Sequence, residues 1–415
     1  MPFLATKSFA GLTYTQFLGA FNDNLFKQVI LLLAARLLFE GEDKQGLAFI
    51  VFSAPFVLFS GIAGDISEKF SKRSVIVAMK AIEIALMVAG TFALVGKDWT
   101  WLLVLLFLMG AQSAFFGPSK YGVIPELVPG HRLLWANGII SMTTFLAILG
   151  GETLAGPILD HLIDALWIPG IVCVALSILG LVTALRIERL PAQSPTARLP
   201  WSPFGSMGQT LRMIRADKTL FAIVLVNSVF WFNGGVLNQV VNALARPELL
   251  DLAKDENWKL SVMKVVLAVF VMAGCLAAPR IGRRFTSAQM TFVGATGVAL
   301  SQSALVFVGT VFQGDSSAYL VANVALAVSG FAAAQFVVPL AAYIQYAPRE
   351  GSKGKVLATN NFCTFVGIFL AGGFYLALTS IALSPTIIAL LSGFILLGSV
   401  WVARASVAKL LVPVR

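Results

Sequence analysis

The stretch AGLTYTQFLGAFNDNLFKQVILLLAARLL, residues 10–38, decides the fold. It is apolar along most of its length, yet Asn22, Asp23, Asn24, Lys27 and Gln28 interrupt it near the middle. Lys7 precedes it, as a basic residue precedes the core of a signal peptide. The run outlasts the about 7–15 apolar residues of such a core, and it carries Asp23 and Lys27. We therefore read it as a first membrane span that is retained, since about 20 residues of helix cross a hydrocarbon core. A charge inside a span costs roughly 2.5–3.5 kcal/mol on insertion scales, so it is expected to face a cavity or a partner.

Outward from this stretch, apolar runs recur with short polar gaps. In the first half they fall at Gly46–Gly64, Ser74–Val95, Trp99–Phe116, Leu133–Leu159 and Leu162–Leu185. In the second they fall at Thr219–Leu244, Leu260–Ala278, Ser287–Phe312, Ala318–Tyr343, Val356–Thr379 and Ile381–Val402. Each is long enough to span. The expected fold class is an all-α membrane protein of about twelve transmembrane helices in two six-helix halves. Residues 1–187 form the N-terminal half, 188–218 a cytoplasmic linker and 219–415 the C-terminal half. Pro191, Pro195, Pro200 and Pro203 discourage a continuous helix through the linker, and Trp201 and Phe204 are placed to anchor it at the membrane surface.

The halves repeat. Phe21-Asn22 with Gln28-Val29 matches Phe232-Asn233 with Gln239-Val240, offset by 211. Gly61-Ile-Ala-Gly-Asp65 with Lys72-Arg73 matches Gly274-Cys-Leu-Ala-Ala278 with Arg283-Arg284, offset by 213 for the first part. Leu133-Leu-Trp-Ala-Asn137 matches Val356-Leu-Ala-Thr-Asn360, offset by 223. Three pairings in order, each near half the chain length, argue for a duplicated parallel unit.

Composition agrees: 58% of the 415 residues are hydrophobic and 12% charged, about half the charge of a soluble domain. The net charge of +10 does not indicate nucleic acid, because the basic residues lie in loops between apolar runs. With the N-terminus inside, 21 of the 30 Lys and Arg fall on the cytoplasmic side and six outside, while Lys27, Lys80 and Lys264 lie within spans. Both termini are thus expected in the cytoplasm. Cys173, Cys275 and Cys363 each sit in an apolar run, so no disulfide framework is implied. His131 and His161 cannot make a metal site by themselves. No phosphate loop, paired-His zinc motif or dinucleotide fingerprint is present, so no cofactor, no metal and no enzymatic reaction is expected.

Gly61 to Asp65, followed by Lys69, Lys72 and Arg73, resembles the loop between spans two and three of the major facilitator superfamily. The basic section is longer than in the common pattern, and Ala278 stands where the second copy would carry Asp. Three segments resemble the lysophospholipid transporter family: Gln16-Phe-Leu-Gly-Ala-Phe-Asn-Asp-Asn24, Gly117-Pro-Ser-Lys-Tyr-Gly-Val-Ile-Pro-Glu-Leu127 and Leu133-Leu-Trp-Ala-Asn-Gly138. All lie in the first half, and the Pro-Ser-Lys-Tyr-Gly core is the most specific. The resemblance implies a secondary carrier that brings lysophosphatidylethanolamine and lysophosphatidylglycerol across the bacterial inner membrane for reacylation. Some relatives carry the acyltransferase fused; this chain ends at Arg415, so any acyltransferase partner is expected to be separate.

Candidate substrate-binding or coupling residues follow from polarity inside spans. Asp23 and Lys27, four apart, share a helix face, as do Asn24 and Gln28. They either meet a zwitterionic head group or fix packing as an interhelical pair. Lys120 either meets the substrate phosphate or snorkels to the interface. Glu152, among Gly150, Gly151 and Gly156, either couples protons or is a structural carboxyl. Asn233, Asn238 and Gln239 mirror the first-span cluster without its charges, as cavity groups or interhelical hydrogen bonds. By the resemblance, Asp65 with Arg73 forms a cytoplasmic gate latch. Lys80 and Glu83 are expected as a structural pair, and Lys264 is expected to snorkel outward.

The leading expectation is a lysophospholipid carrier working by alternating access, with the acyl chain along apolar walls that the 32 Phe residues can supply. The alternative is a proton-coupled exporter of a drug, siderophore or other small amphiphile, since one fold hosts many functions. A third class is a non-transporting receptor or scaffold for an acyltransferase, against which the intramembrane charges argue. Twelve spans in two halves suffice for a monomer.

Overall fold

Polar caps and prolines set where the apolar runs become helices. The structure is a computed structural model that describes residues 7–35, 44–129, 133–192, 195–196, 207–246, 249–253, 256–312, 317–346 and 353–409. The described elements are all helical: α1 (Lys7–Ala35), α2 (Gln45–Lys69), α3 (Lys72–Gly96), α4 (Trp99–Gly122), α5 (Ile124–Leu127), α6 (Leu133–Leu162), α7 (Trp167–Ala184) and α8 (Met207–Ala216). They continue with α9 (Lys218–Ala243), α10 (Asn257–Ile281), α11 (Ser287–Ala304), α12 (Val306–Thr310), α13 (Ser317–Tyr346), α14 (Lys353–Thr379), α15 (Pro385–Val402) and α16 (Arg404–Val407). Asp98 accepts from the Trp101 amide at the start of α4, and Asp217 accepts from the Thr219 and Leu220 amides at the start of α9. Thr286 and Gln289 make a reciprocal capping box on α11. Lys97 ends α3 in the left-handed conformation.

Among the described residues, eleven helices are long and apolar enough to cross a membrane. The 29-residue α1 has the length as well, but its polar run from Asn22 to Gln28 dilutes its apolar character. With α1 the long helices number twelve, six before α8 and six after it. Some ends differ from the sequence expectation. α7 starts at Trp167 rather than Leu162, because Ile163 to Leu166 form a turn around Asp164. α15 starts at Pro385, after a turn in which Ala382 takes φ 59°. The linker's second part, beyond its prolines, forms amphipathic α8, with Ile214 buried and Arg212 and Arg215 exposed. Pro200, Trp201, Pro203 and Phe204 lie outside the described residues, as do the side chains of Trp135 and Asn137.

The chain divides into two compact units, one drawn from Met1–Leu32 and Val51–Ser206, the other from Leu33–Ile50 and Met207–Arg415. Within each, corresponding helices pack alike: α3 packs on α4 and α7, and α11 packs on α13 and α15. The close approaches also correspond. A Cβ on Gly151 of α6 would stand 2.5 Å from the Phe21 carbonyl oxygen of α1, and one on Gly367 of α14 would collide with the Ser228 carbonyl of α9. Glycine there brings backbones together, which is how membrane helices gain contact without a hydrophobic driving force. The repeated segments read from the sequence fall on corresponding helices: α1 and α9, the ends of α2 and α10, and the starts of α6 and α14.

Candidate functional site

The polar run of α1 meets α4 and α6 in a ladder of three rungs. In the first, Lys120 Nζ of α4 donates to Gln16 Oε1 at 2.9 Å, and Gln16 Nε2 donates to the Thr144 hydroxyl of α6. The ammonium lies 4.5 Å from the Tyr121 ring centroid and 5.9 Å from that of Phe116. In the second, the Ser113 hydroxyl of α4 donates to Asp23 Oδ2 at 2.5 Å. Gln16 and Asp23 are seven apart on α1, as Ser113 and Lys120 are on α4, so the two helices run antiparallel with rungs two turns apart. In the third, Lys27 Nζ donates to Asn24 Oδ1 at 2.7 Å and pairs with Glu152 Oε1 of α6 at 3.3 Å, under the Phe52 ring.

Charges on the rungs are unevenly matched. Lys27 has the Glu152 carboxylate. Among the described residues Lys120 has no carboxylate partner, only an amide and two rings. Asp23 Oδ1 is buried without a hydrogen-bond partner. The expected face-sharing of Asp23 and Lys27 therefore does not become an ion pair: each side chain turns to a different neighbour, α4 for Asp23 and α6 for Lys27. Asn24 holds Lys27 and also donates to the Ala20 carbonyl at 2.7 Å. Gln28 is fully buried.

Behind the ladder lies a second network. Lys80 and Glu83 of α3, both 1% exposed, pair at 2.5 Å, as expected. Asn22 Nδ2 donates to Glu83 Oε1 at 3.3 Å and to the Ser177 hydroxyl of α7 at 3.0 Å, and Gln112 Nε2 reaches Glu83 Oε2 at 3.4 Å. Gln112 Oε1 is 3.1 Å from the Ser113 hydroxyl, so the two networks join. Gly19 makes room: a Cβ there would occupy the place of the Lys80 amine.

The second unit carries the same design without charge. Asn233 Nδ2 donates to Gln302 Oε1 at 2.9 Å and to the Ser392 hydroxyl at 3.0 Å, and Gln302 Nε2 returns a bond to Asn233 Oδ1 at 3.1 Å. Asn233 corresponds to Asn22, Gln302 to Glu83 and Ser392 to Ser177. Gln239 is fully buried and donates to the Gly235 carbonyl of α9 at 3.2 Å and to the Ala371 carbonyl of α14 at 3.5 Å, so its amide joins the two helices.

The two residues of the expected latch have separate surroundings in this structure. Arg73 Nε donates to the Ile187 carbonyl at 2.7 Å and Nη2 to that of Leu185 at 3.3 Å, capping the end of α7. Asp65 Oδ2 is buried with no hydrogen-bond partner, and among the described residues no ion pair links it to Arg73. Lys72 forms an ion pair with Glu126 of α5 at 2.6 Å. Lys264, expected to snorkel, is buried in α10.

Sequence reasoning passed over Gln16, Gln112, Ser113 and Thr144 as functional groups. The available signal was the seven-residue spacing of Gln16 to Asp23 and of Ser113 to Lys120, which puts each pair on one helix face. As an ensemble, the first unit presents an under-matched cation, a carboxylate with a free oxygen and a breakable ion pair.

The family model of the Major Facilitator Superfamily matches residues 12–372. Among curated proteins, the lysophospholipid transporter LplT of Cronobacter sakazakii is 29% identical over 384 residues, covering 90% of this chain and 89% of that protein. LplT of Klebsiella pneumoniae subsp. pneumoniae is 26% identical over 413 residues, 97% of each chain. Among solved structures, a POT family transporter in complex with 5-aminolevulinic acid aligns with a TM-score of 0.73 at 12% identity, covering 97% of this chain and 96% of that one. The nucleoside transporter NupG aligns with a TM-score of 0.68 at 13% identity, covering 96% and 99%.

Proposed function

The chain belongs to the major facilitator superfamily, and from that premise we propose that it is a secondary transporter of lysophospholipids working by alternating access across the bacterial inner membrane. The observation that carries this reading is the ladder of α1, α4 and α6. Lys120 is held by a neutral amide and two rings. A phosphate entering there gains a charge-assisted bond without first breaking a carboxylate pair. Asp23 Oδ1 has no competing partner, so a head-group ammonium or hydroxyl can bind it. The Lys27–Glu152 pair can open toward the zwitterion and close behind it. The acyl chain runs along aromatic walls such as Phe17 with Phe21 and Phe59 with Phe115. The likeness to proteins named lysophospholipid transporter LplT supports this substrate class.

In this reading the sequence halves 1–187 and 219–415 rock during transport, both termini stay in the cytoplasm, and an acyltransferase consumes the product. A second reading, proton-coupled export of a small amphiphile, is favoured by one feature: the unpartnered oxygen of Asp23 is a place for a proton.

The deciding experiment is uptake of labelled lysophosphatidylethanolamine into proteoliposomes by wild type, Asp23→Asn and Lys120→Ala. Protein-dependent uptake lost in both variants supports the lipid reading. No uptake by folded, inserted wild type, together with drug efflux driven by a proton gradient, moves the assignment to the exporter.

A further inference from the structure

At one end of the first unit, α1 and α7 converge until a Cβ on Gly11 would stand 2.9 Å from the Thr183 carbonyl oxygen and 3.2 Å from Cβ of Arg186. Beside this contact lies a recess of about 450 Å³ lined by Lys7, Ala10, Gly11, Tyr14 and Arg186. Its floor is apolar, and its rim carries two cations and a phenol. All three polar side chains are exposed, Tyr14 by 50%. Among the described residues none of the three makes a side-chain hydrogen bond or ion pair. The nearest carboxylate in sequence, Glu188, is exposed, and its side chain reaches neither cation.

Helix capping does not account for Arg186. The carbonyls at the end of α7 are met by Arg73, through Leu185 and Ile187. Orientation by positive charge accounts for a basic residue but needs no recess beneath it. α7 is long and apolar enough to cross a membrane, and the end of a helix that spans the hydrocarbon core falls at head-group depth. Tyr14 is about 10 Å further along α1 than Lys7 at 1.5 Å per residue, which separates a shallow charged zone from a deeper amphipathic one.

We propose that this recess holds the phosphodiester of an anionic bilayer glycerophospholipid. Lys7 and Arg186 bind the phosphate, the Tyr14 hydroxyl donates to a glycerol-ester oxygen, and the acyl chains leave over Ala10 and Gly11. The bound lipid is not the cargo of the ladder. Gln16, two residues beyond Tyr14 and about 200° around the helix, is 1% exposed and turned inward. The site stands independently of the transport assignment.

The test is native mass spectrometry of the detergent-purified full chain with added phosphatidylglycerol. It compares wild type, the double variant Lys7→Ala with Arg186→Ala, and a control pair Arg283→Ala with Arg284→Ala, also exposed. A parallel arm adds glycerol 3-phosphate, which has the phosphate without acyl chains. Expected is at least a fivefold loss of retained lipid in the double variant only, with no displacement by millimolar glycerol 3-phosphate. Equal retention in all three proteins overturns the site. Equal loss in the control reduces it to general surface charge and also overturns it. Displacement by glycerol 3-phosphate overturns the lipid in favour of a soluble phosphate. The substituted side chains are exposed, so unchanged melting temperatures are expected and keep folding apart from binding.

Discussion

Lys120 of α4 donates to the Gln16 amide of α1 at 2.9 Å, and no carboxylate among the described residues pairs with it. An ammonium with only a neutral partner and two rings is poised for an anion. Hydrogen bonds to charged groups contribute about 1.5–3 kcal/mol, and 1.4 kcal/mol is a factor of ten. Lys120→Ala should therefore lower lysophosphatidylethanolamine uptake by about tenfold or more. Lys120→Arg should keep part of the rate, because the charge stays while the geometry shifts. Initial rates in proteoliposomes decide it; uptake by Lys120→Ala equal to wild type removes Lys120 from the site.

The second rung separates structure from transport. Asp23→Asn keeps an oxygen for the Ser113 hydroxyl but loses the charge; Ser113→Ala keeps the charge but leaves Asp23 Oδ2 unmet. Asp23→Asn should melt like wild type and transport poorly. Ser113→Ala should lose about 1–3 kcal/mol of stability, the cost of a buried unsatisfied acceptor, while keeping most of its transport. Melting curves and uptake rates, measured on the same preparations, check both halves. The reverse pattern makes Asp23 a packing group.

The two units allow an internal comparison. Glu83 and Gln302 hold the same kind of place, each accepting from an Asn that also donates to a Ser, but Glu83 carries Lys80 three residues earlier where Gln302 has Ala299. Glycines accompany both: Gly180 stands 3.4 Å, as a Cβ, from the Lys80 stem, and Gly393 stands 3.0 Å from Ala299 Cα. Breaking a buried pair by removing one partner costs about 3–5 kcal/mol. Glu83→Gln alone should be strongly destabilised. Glu83→Gln with Lys80→Ala copies the second unit and should recover most of that loss. A double variant as unstable as the single one means that the pair has a partner beyond Glu83, and detergent-melting experiments distinguish the cases.

What the sequence disclosed depended on whether a feature is local. The helices, the duplication and the polar run of α1 follow from periodicity and hydropathy along the chain. Three of the ladder's groups, Asp23, Lys27 and Lys120, stood out because a charge in an apolar run is conspicuous in one dimension. Glu152 stood out as well, but its pairing with Lys27 did not. Glu152 meets Lys27 from 125 positions away, and which face of α6 turns to α1 depends on glycines that let the backbones touch. Uncharged groups such as Gln112, Ser113 and Thr144 give no signal until a contact is known. Arg73 shows the converse: its spacing after Asp65 was legible, but the carbonyls it caps belong to a helix end more than a hundred residues later.

Gln45 supplies the last prediction. It is the first residue of α2 and fully buried. Its Nε2 donates to the Gln239 carbonyl and to the Tyr375 hydroxyl, both at 2.9 Å, and its Oε1 accepts from Asn242 at 3.2 Å. Beside it Gly46 fits against α14, where an added Cβ would stand 3.0 Å from the Gly372 carbonyl oxygen. Residues Leu33–Ile50 group with the second unit and Val51–Lys69 with the first, so α2 passes from one unit into the other. Gln45, Gln239, Asn242 and Tyr375 all belong to the second unit, so the cluster holds the start of α2 to α9 and α14 within it. Gln45→Ala takes this partner from the Asn242 amide, which donates to it, and from the Gln239 carbonyl and Tyr375 hydroxyl, which accept from it, a cost of about 1–3 kcal/mol; Tyr375→Phe deletes one bond and costs about 1 kcal/mol. The readout is a single cysteine at Ala48, 1% exposed, in a chain whose Cys173, Cys275 and Cys363 are replaced. An impermeant thiol reagent should label it several-fold faster with Gln45→Ala than with Tyr375→Phe, and slowest in the otherwise unchanged protein. Equal labelling with a lowered melting temperature makes the cluster packing alone, because bonds that hold the start of α2 in place must expose Ala48 when they are cut.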